Sequence, residues 1–363
     1  MIRHASITCL ALALTTIPLP GRPALAAGPL PPFHGAIDFE KSVPDLTPEA
    51  LKGKGALIVF FQSWCPICNQ WSADLLRQIE AAHGSNPGLM LIAIKTDDGG
   101  VKGAESYLKE KGANVDLWFI GSDPRAEYYK KVTGKNELWN YALVNAEGNI
   151  AEIGQAGAFW SDGPEKGKFT LSSKDVVKKC GKIQTLLPAD GKYPGELARI
   201  ARVAELGALG QAMKACTAAA AKSKHKEAAG QLLAALQTAA KARLQELMKT
   251  AADDKADSGR RYEAYKELAG LVKELAGQPL ATEAATLVNK VSQDPAMRKE
   301  KAAEDEYRPI AAKMDKASAK GKPAVAKELK RIGEKYPGTL YGTRATEEAE
   351  EAAQPAPPDK GRR

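Results

Sequence analysis

No apolar run in this 363-residue chain reaches the ~20 residues with which a helix crosses a bilayer. The run at 9–14 is much shorter; it follows Arg3 and precedes a small-residue site at 24–26. This is the three-part pattern of a secretory signal peptide. The sequence therefore predicts a signal peptide over residues 1–26 and an exported mature chain, periplasmic or extracellular, without a transmembrane segment.

Aromatic residues are also scarce, at 6% of the chain, although the formal net charge is +8. Lysines are dispersed among glutamates and alanines, as in 327–331, with no aromatic side chains among them on which bases could stack. We therefore expect solvated helix faces and no nucleic-acid binding. Much of the apolar content is alanine, which favours helix over sheet in the second half of the chain.

Cysteine is rare as well, with five residues, and Cys9 would be removed with the signal peptide. Two of the other four lie in the sequence Trp-Cys-Pro-Ile-Cys, with the cysteines at Cys65 and Cys68, directly after the apolar run 57–61. At the start of a helix the macrodipole favours the thiolate of the first cysteine, which makes it a nucleophile. The spacing predicts a redox-active pair, although an inert surface disulfide is the alternative.

The two remaining cysteines, Cys180 and Cys216, either form a second disulfide across a domain junction or stay as two separate buried thiols. They do not provide a second cysteine pair at metal spacing, and the histidines after the signal peptide are only His34, His83 and His225. A Cys-x-x-Cys needs two further ligands to hold zinc. We therefore expect no metal and no cofactor, with His34 and His83 in surface or loop positions.

Strand-like runs alternate with amphipathic helices from residue 36 to 153, which is typical of an α/β sheet. The expected strands are 57–61, 89–94, 117–120, 141–144 and 150–153. The expected helices are 65–82, 101–111 and 124–132, with a shorter one beginning at Thr47-Pro48. The sequence Asn-Ala-Glu-Gly at 145–148 predicts a hairpin turn.

Glycines and prolines interrupt residues 154–190, around a short helix expected over 174–180. Beyond Pro194 the pattern is helical, with stripes such as Leu232, Leu236, Leu244 and Leu247 on one face. We predict a first domain over 34–157, a linker over 158–193, an all-α domain over 194–345 and a disordered tail over 346–363.

An internal match supports stacked helices in the second domain. The pattern Glu-Leu-x-x-Leu at 267–271, with a later glycine and alanine, recurs 61 residues downstream as Glu-Leu-x-x-Ile at 328–332. The second copy weakly resembles the helix-turn-helix joint of tetratricopeptide-like repeats, in which helix pairs bury a continuous core. We expect this region to bind another protein or to form a dimer.

The stretch Phe-Phe-Gln-Ser-Trp-Cys-Pro-Ile-Cys at 60–68 resembles the thioredoxin superfamily, and exported TlpA-like thiol-disulfide oxidoreductases in particular. The resemblance covers about a third of the chain. It implies a thioredoxin-like α/β fold, an exposed attacking thiolate at Cys65 and a resolving thiol at Cys68 that releases the mixed disulfide. Trp64 would help to form the face that a partner's disulfide approaches, while Pro66 and Ile67 would tune the couple.

Two features of the superfamily are missing. The stretch 133–140 has no proline where thioredoxin-like proteins place a cis-proline; Trp139 falls closest to that position, and we expect a trans bond there. The buried acid that many thioredoxins carry six residues before the first cysteine is Val59 here. The resemblance thus implies disulfide exchange with protein substrates and a redox partner, in either direction. The alternative is a non-catalytic interaction scaffold that retains the fold and a structural disulfide.

Overall fold

The computed structural model describes residues 28–33, 35–40, 46–134, 140–155, 168, 171–188, 193–222, 225–277, 279–318 and 321–353. The predicted signal peptide and His34 lie outside these residues. Within the described ranges, no helix combines the length and the apolar character that a membrane crossing requires.

The N-terminal part of the chain forms one six-stranded mixed sheet in the order β1-β4-β3-β2-β5-β6. Every residue of β2 and β3 is buried, as expected for central strands covered on both faces. Strand β2 pairs in parallel with β3, which pairs in parallel with β4, whereas β1, β5 and β6 are antiparallel to their neighbours. The strands are β1 (Asp38–Phe39), β2 (Gly55–Phe61), β3 (Leu89–Lys95), β4 (Phe119–Ser122), β5 (Asn140–Val144) and β6 (Ile150–Gln155).

Four helices accompany the sheet: α1 (Pro66–His83), α2 (Gly100–Glu110), α3 (Glu127–Thr133) and α4 (Ser173–Cys180). The strand order and these connections confirm the predicted thioredoxin-like fold. The hairpin turn between β5 and β6 is also confirmed, since Gly148 adopts a left-handed φ of 83° and its N–H bonds to the Asn145 carbonyl at 3.0 Å.

The predicted helix at Thr47 is wrong. Residues 48–53 form a turn, in which the Thr47 hydroxyl accepts a hydrogen bond from the Ala50 N–H at 3.1 Å. The chain then passes through Gly53, whose φ of 78° reverses its direction, and enters β2 at Gly55. A side-chain cap therefore stabilises a single turn here instead of starting a helix.

The rest of the described chain is helical. Its two matching segments lie in helix hairpins, α8 with α9 and α11 with α12, and each hairpin turns at a left-handed glycine, Gly277 or Gly338. The helices are α5 (Glu196–Glu205), α6 (Leu209–Lys222), α7 (Lys226–Ala252), α8 (Ser258–Glu274), α9 (Pro279–Ser292), α10 (Pro295–Lys316), α11 (Lys322–Lys335) and α12 (Leu340–Ala353).

The predicted start of the disordered tail at residue 346 is wrong. Helix α12 continues to Ala353, because Ala349 is buried against the neighbouring helices and the Thr346 hydroxyl bonds back to the Gly342 carbonyl at 3.1 Å. Residues 354–363 lie outside the described residues. A run of alanine and glutamate that looked like a fraying end thus contributes a buried face.

Helix α5, assigned from sequence to the second domain, is joined to the sheet by buried polar contacts. The Arg202 guanidinium is fully buried and donates to four backbone carbonyls: Leu89 at 3.0 Å, Leu117 at 2.9 Å, Gly84 at 2.7 Å and His83 at 3.3 Å. Two of these carbonyls belong to the C-terminal end of α1, where a cation is favourable. Burial lowers the pKa of Arg202 to about 10, so it stays charged at neutral pH.

A second buried contact adds to this joint. Glu205, the last residue of α5, accepts a hydrogen bond from the Lys54 ammonium at 2.5 Å and from the backbone N–H groups of Leu186 and Leu187 at 2.9 and 2.8 Å. Lys54 immediately precedes β2. The first turns of the helical region therefore pack directly on the base of the sheet.

We predict that Arg202→Met lowers the free energy of unfolding by about 3 kcal/mol, because four buried carbonyls lose their donor. Urea unfolding followed by circular dichroism measures the change. The control is Arg243→Met, which removes a partly exposed arginine paired with Glu246 and Glu267 and should cost less than about 1 kcal/mol. Equal losses in the two variants would contradict the role of Arg202.

The helical region has its own buried polar centre at Glu304 in α10. Burial alone would raise the pKa of this carboxyl, but hydrogen bonds from Lys266, Tyr262, Arg308 and Tyr341 outweigh burial and hold the pKa at about 2. The four donors lie 2.7 to 2.9 Å from its oxygens. They come from α8, α10 and α12, so one ionised carboxylate joins three helices.

A carboxyl whose pKa is lowered on folding contributes stability above its unfolded pKa and loses it as the pH falls. We therefore expect the helical region to lose stability between pH 4.5 and about 2, the range between the ordinary and folded pKa values of Glu304. Urea unfolding at several pH values tests this. Glu304→Gln should be less stable at pH 7 and should show a weaker acid dependence; an unchanged dependence would contradict the prediction.

Candidate redox site at the start of helix α1

The carboxyl ends of the parallel strands β2, β3 and β4 meet at one edge of the sheet. Strand β2 ends at Phe61 and α1 begins at Pro66, so only four residues connect them. Cys65 is the last of the four. Its carbonyl accepts the first hydrogen bond of the helix, from the Asn69 N–H at 2.9 Å, which places Cys65 at the N-cap.

The first helical turn, Pro66 to Asn69, carries no acidic side chain. A thiolate at Cys65 would therefore face the positive end of the helix dipole without an opposing carboxylate in that turn. Pro66 suits the first helical position, because it lacks an N–H that would have no partner there and its φ already matches the helix. These features favour the ionised form of the first cysteine.

Side chains from outside the helix hold the connecting loop. The Asp97 carboxylate, in the loop after β3, accepts hydrogen bonds from both the N–H and the hydroxyl of Ser63, at 2.8 and 2.7 Å. The Ser63 carbonyl accepts a bond from the Asn69 amide at 2.8 Å. All of the hydrogen-bonding groups of Ser63 are thus tied, two residues before the first cysteine.

The two residues after Ser63 differ sharply in exposure. Trp64 is 63% exposed, whereas Cys65 is 3% exposed and is disulfide-bonded. The resemblance implied an exposed sulfur at Cys65, and this expectation is wrong for the disulfide-bonded form of the protein. Cys65 belongs to the apolar cluster that α1 buries against β2 and β3, which includes Phe61. The side chains of Ile67 and Cys68 lie outside the described residues.

Behind the site, the position of the missing acid is apolar. Val59 is fully buried in β2, between Ala93 of β3 and Tyr141 of β5 in the sheet register. The hydroxyl of Tyr141 donates a hydrogen bond to the Glu152 carboxylate at 2.8 Å. No carboxylate stands at this position to exchange a proton with the cysteines.

Sequence reasoning missed two polar groups near the site. One is the ion pair between Lys95, at the end of β3, and Asp97; the side chain of Lys95 is 3% exposed. The other is the hydroxyl pair of Ser72 and Tyr107, 2.8 Å apart, with the Tyr107 ring stacked on Phe61 at 5.2 Å. The sequence signal was the run Lys-Thr-Asp-Asp, which begins on the last residue of a buried strand, where polar side chains gather at the sheet edge.

Trp139, the residue nearest to the expected cis-proline position, lies outside the described residues. The trans bond before it therefore stays a prediction. Thr133 and Asn140, in the described segments before and after it, are both fully buried, and the Asn140 amide donates to the Tyr129 hydroxyl at 2.6 Å.

The structure leaves Cys180 and Cys216 as buried free thiols, so the possible disulfide between them is not formed. Their sulfurs lie near different carbonyls, that of Val144 at 3.7 Å and that of Ala229 at 3.1 Å. Cys180 ends α4 and belongs to the same apolar cluster as Cys65, whereas Cys216 lies on α6 and faces α7. Burial raises the pKa of both thiols, that of Cys180 to about 12.

His83 is buried, contrary to the expected surface position. It ends α1 beneath Arg202, and its pKa is lowered by burial and by the nearby guanidinium. In the described part of the chain, no three His, Cys, Asp or Glu side chains are grouped in a way that could hold a metal ion.

Thiol titration tests this distribution of cysteines. After mild reduction of the mature native protein, the thiols of residues 65 and 68 should react with an aromatic disulfide reagent at pH 8, because opening of the loop before α1 exposes Cys65. Cys180 and Cys216 should react only after denaturation, because they are fully buried away from that loop. Cys180→Ala should leave the native count unchanged. Rapid reaction of Cys180 or Cys216 in the folded protein would contradict the structure.

No protein-family model matches the chain. The N-terminal part of the chain is similar to several solved structures. StoA from Bacillus subtilis is 18% identical over 42% of this chain and 100% of its own, with a TM-score of 0.28. A secreted Mycobacterium tuberculosis disulfide oxidoreductase is 20% identical over 37% of this chain and 86% of its own, with a TM-score of 0.25, and a thiol:disulfide interchange protein from Chlorobium tepidum is 18% identical over 42% and 95%, with a TM-score of 0.26.

The fold itself rests on the strand order and connections described above. Within this fold, Cys65 is the N-cap of the helix that follows the central strand β2, and the segment around it resembles thioredoxin-like thiol-disulfide oxidoreductases. The N-terminal part of the chain thus has a thioredoxin-like fold and is followed by an all-helical region.

Proposed function

We propose that the protein is an exported thiol-disulfide oxidoreductase that exchanges disulfides with protein substrates through Cys65 and Cys68. The observation that carries the proposal is the disulfide-bonded Cys65 at the N-cap of α1. Of the other cysteines, Cys180 and Cys216 are free thiols and Cys9 lies in the predicted signal peptide. The proposal takes Cys68, which lies on the first turn of the same helix, as the partner of Cys65.

The proposed exchange moves two electrons in two steps. The Cys65 thiolate attacks one sulfur of a substrate disulfide, which forms a mixed disulfide and releases one substrate thiolate. The Cys68 thiolate then attacks the Cys65 sulfur, which forms the intramolecular disulfide and releases the second substrate thiolate. The substrate is reduced and the protein oxidised; the reverse sequence oxidises a substrate dithiol.

The exposed Trp64 ring supports a protein substrate. An indole that stays 63% exposed next to a buried sulfur offers apolar surface to a polypeptide that approaches the disulfide. Because Cys65 itself is 3% exposed, such a partner has to move the loop or the start of α1 before its sulfur can come into line. Exchange would then depend on local opening as well as on thiol acidity.

We propose that the helical region binds a redox partner or a second copy of the chain. Its hairpins stack α8 on α9 and α11 on α12, as in repeat proteins that bind partners along their surfaces. Helix α5 ties this region to the base of the sheet, at the opposite end of β2 from Cys65. A bound partner would therefore be held in a fixed relation to the redox site.

The burial of Cys65 favours a second candidate, a protein-interaction scaffold with a structural disulfide. A sulfur that solvent hardly reaches is protected from exchange, and Val59 leaves the site without a buried acid. In this case the helical region would carry the function, and the missing proline in 133–140 would reflect lost catalysis. The reduction potential of the disulfide separates the two candidates.

We predict distinct outcomes for the two cysteine variants. Cys65→Ser should abolish turnover of a disulfide substrate because it removes the nucleophile, whereas Cys68→Ser should accumulate a mixed disulfide because release is blocked. Mass spectrometry of the species captured by Cys68→Ser from an export-compartment extract identifies the substrate. Cys180→Ser is the matched control and should retain wild-type turnover, since that thiol is free and buried near Gly55, at the opposite end of β2 from Cys65. Equal activity in the two active-site variants would overturn the assignment.

A further inference from the structure

The connecting loop before Cys65 depends on a buried ion pair that the disulfide-exchange scheme does not use. Lys95 and Asp97 lie at the carboxyl end of β3, with their side chains 3% and 13% exposed. The Lys95 ammonium contacts one oxygen of the Asp97 carboxylate and also the Asp98 carbonyl. The other Asp97 oxygen accepts both hydrogen bonds from Ser63.

The pair lies on the same face of the sheet as Cys65. Side chains alternate along a strand, and Leu91 and Ala93 of β3 belong to the apolar cluster that contains Cys65. Lys95 continues this alternation, and in the sheet register it pairs with Phe61, another member of the cluster. Its buried charge is therefore directed to the side of the sheet that α1 covers.

The distance to the cysteine is short along the chain. The Asp97 carboxylate lies 2.8 Å from the Ser63 nitrogen, and consecutive Cα atoms are about 3.8 Å apart, so the Cα of Cys65 lies within about 12 Å of the carboxylate. At such range in a partly buried setting, charges interact measurably because water screens them poorly. Val59 supplies no charge from the neighbouring strand.

Other titratable groups border the pair. Tyr107 of α2, stacked on Phe61, has a pKa raised by burial, with a small contribution from the Asp97 charge. Asp123, after β4, donates its N–H to the Lys95 carbonyl, but its carboxylate is turned to the N–H groups that start α3. Asp98 contributes its backbone carbonyl, and its residue is exposed.

We propose that the Lys95–Asp97 pair takes the place of the buried acid and sets the acidity of Cys65, and hence the redox equilibrium of the site. Asp97 holds the loop and opposes the thiolate with its negative charge, and Lys95 offsets that charge. Both are positioning residues that act on the sulfur through the loop and through the electric field. The effect on redox equilibrium rests on the proposed function; the effect on thiol acidity does not.

The test replaces each charge by an amide that can still hydrogen bond, Asp97→Asn and Lys95→Gln, in the full mature chain. The pKa of Cys65 is read from the pH dependence of its alkylation in the reduced protein, with the Cys65 peptide quantified by mass spectrometry. We expect Asp97→Asn to lower this pKa and Lys95→Gln to raise it, each by about 0.5 to 1 unit. The equilibrium constant for reduction by glutathione should rise in the first variant and fall in the second, by about threefold.

Two controls separate electrostatics from structure. Lys95→Arg keeps the charge and should keep the wild-type pKa. Glu205→Gln alters the buried pair with Lys54 at the opposite end of β2, so it should change stability and leave the pKa of Cys65 unaltered. Thermal unfolding of each variant confirms that the fold is retained. If Lys95→Gln does not fold, the pKa of Cys65 is compared between Asp97→Asn and Asp97→Glu, and a lower pKa in Asp97→Asn supports the proposal.

Shifts in opposite directions support the proposal, whereas no shift, or shifts in the same direction, overturns it. The result is independent of turnover. If the wild-type protein exchanges with no disulfide substrate but the two pKa shifts appear, the proposed function fails and the electrostatic role stands. If exchange is normal and the shifts are absent, only the role of the pair fails.

Discussion

The turn from β2 into α1 is the constraint on which the candidate site depends. Four residues must carry the chain from the central strand of the sheet to the start of an 18-residue helix. Asp97 fixes this turn from the neighbouring strand by binding both the N–H and the hydroxyl of Ser63. The same turn places Cys65 at the N-cap, buries its sulfur and leaves Trp64 at the surface.

The two ends of α1 serve different purposes. Its N-terminal end carries the cysteines, where the dipole favours a thiolate, and its C-terminal end is held by the buried Arg202 guanidinium. Because Arg202 belongs to α5, the first helix of the following region contacts both the end of α1 and the base of the sheet. The helical region is therefore part of the environment that keeps α1 in place, and not an appendage on a flexible linker.

Much of this architecture could be predicted from sequence, because it depends on local patterns. Apolar runs gave five of the six strands, the Asn-Ala-Glu-Gly turn gave the hairpin, and the Trp-Cys-Pro-Ile-Cys motif gave the helix start that carries Cys65. The sixth strand, β1, has only two residues, too few to form a pattern. The helix predicted at Thr47-Pro48 was wrong because a cap residue also stabilises a single turn.

The contacts that position the site could not be predicted, because they join distant segments through groups with no sequence pattern. Arg202 binds backbone carbonyls more than eighty residues away, and any residue can supply a carbonyl. Asp97 and Ser63 are 34 residues apart, and their meeting depends on the register of β2 and β3. The burial of Cys65 likewise follows from packing and not from the motif.

The reduction potential of the disulfide at Cys65 tests the central claim most directly, since it measures whether this buried sulfur takes part in exchange. Equilibration of the mature protein with glutathione buffers, read by alkylation and mass spectrometry of the Cys65 peptide, gives the value. A redox-active site predicts a potential of about −120 to −270 mV. A value below about −300 mV would contradict the account and identify a structural disulfide.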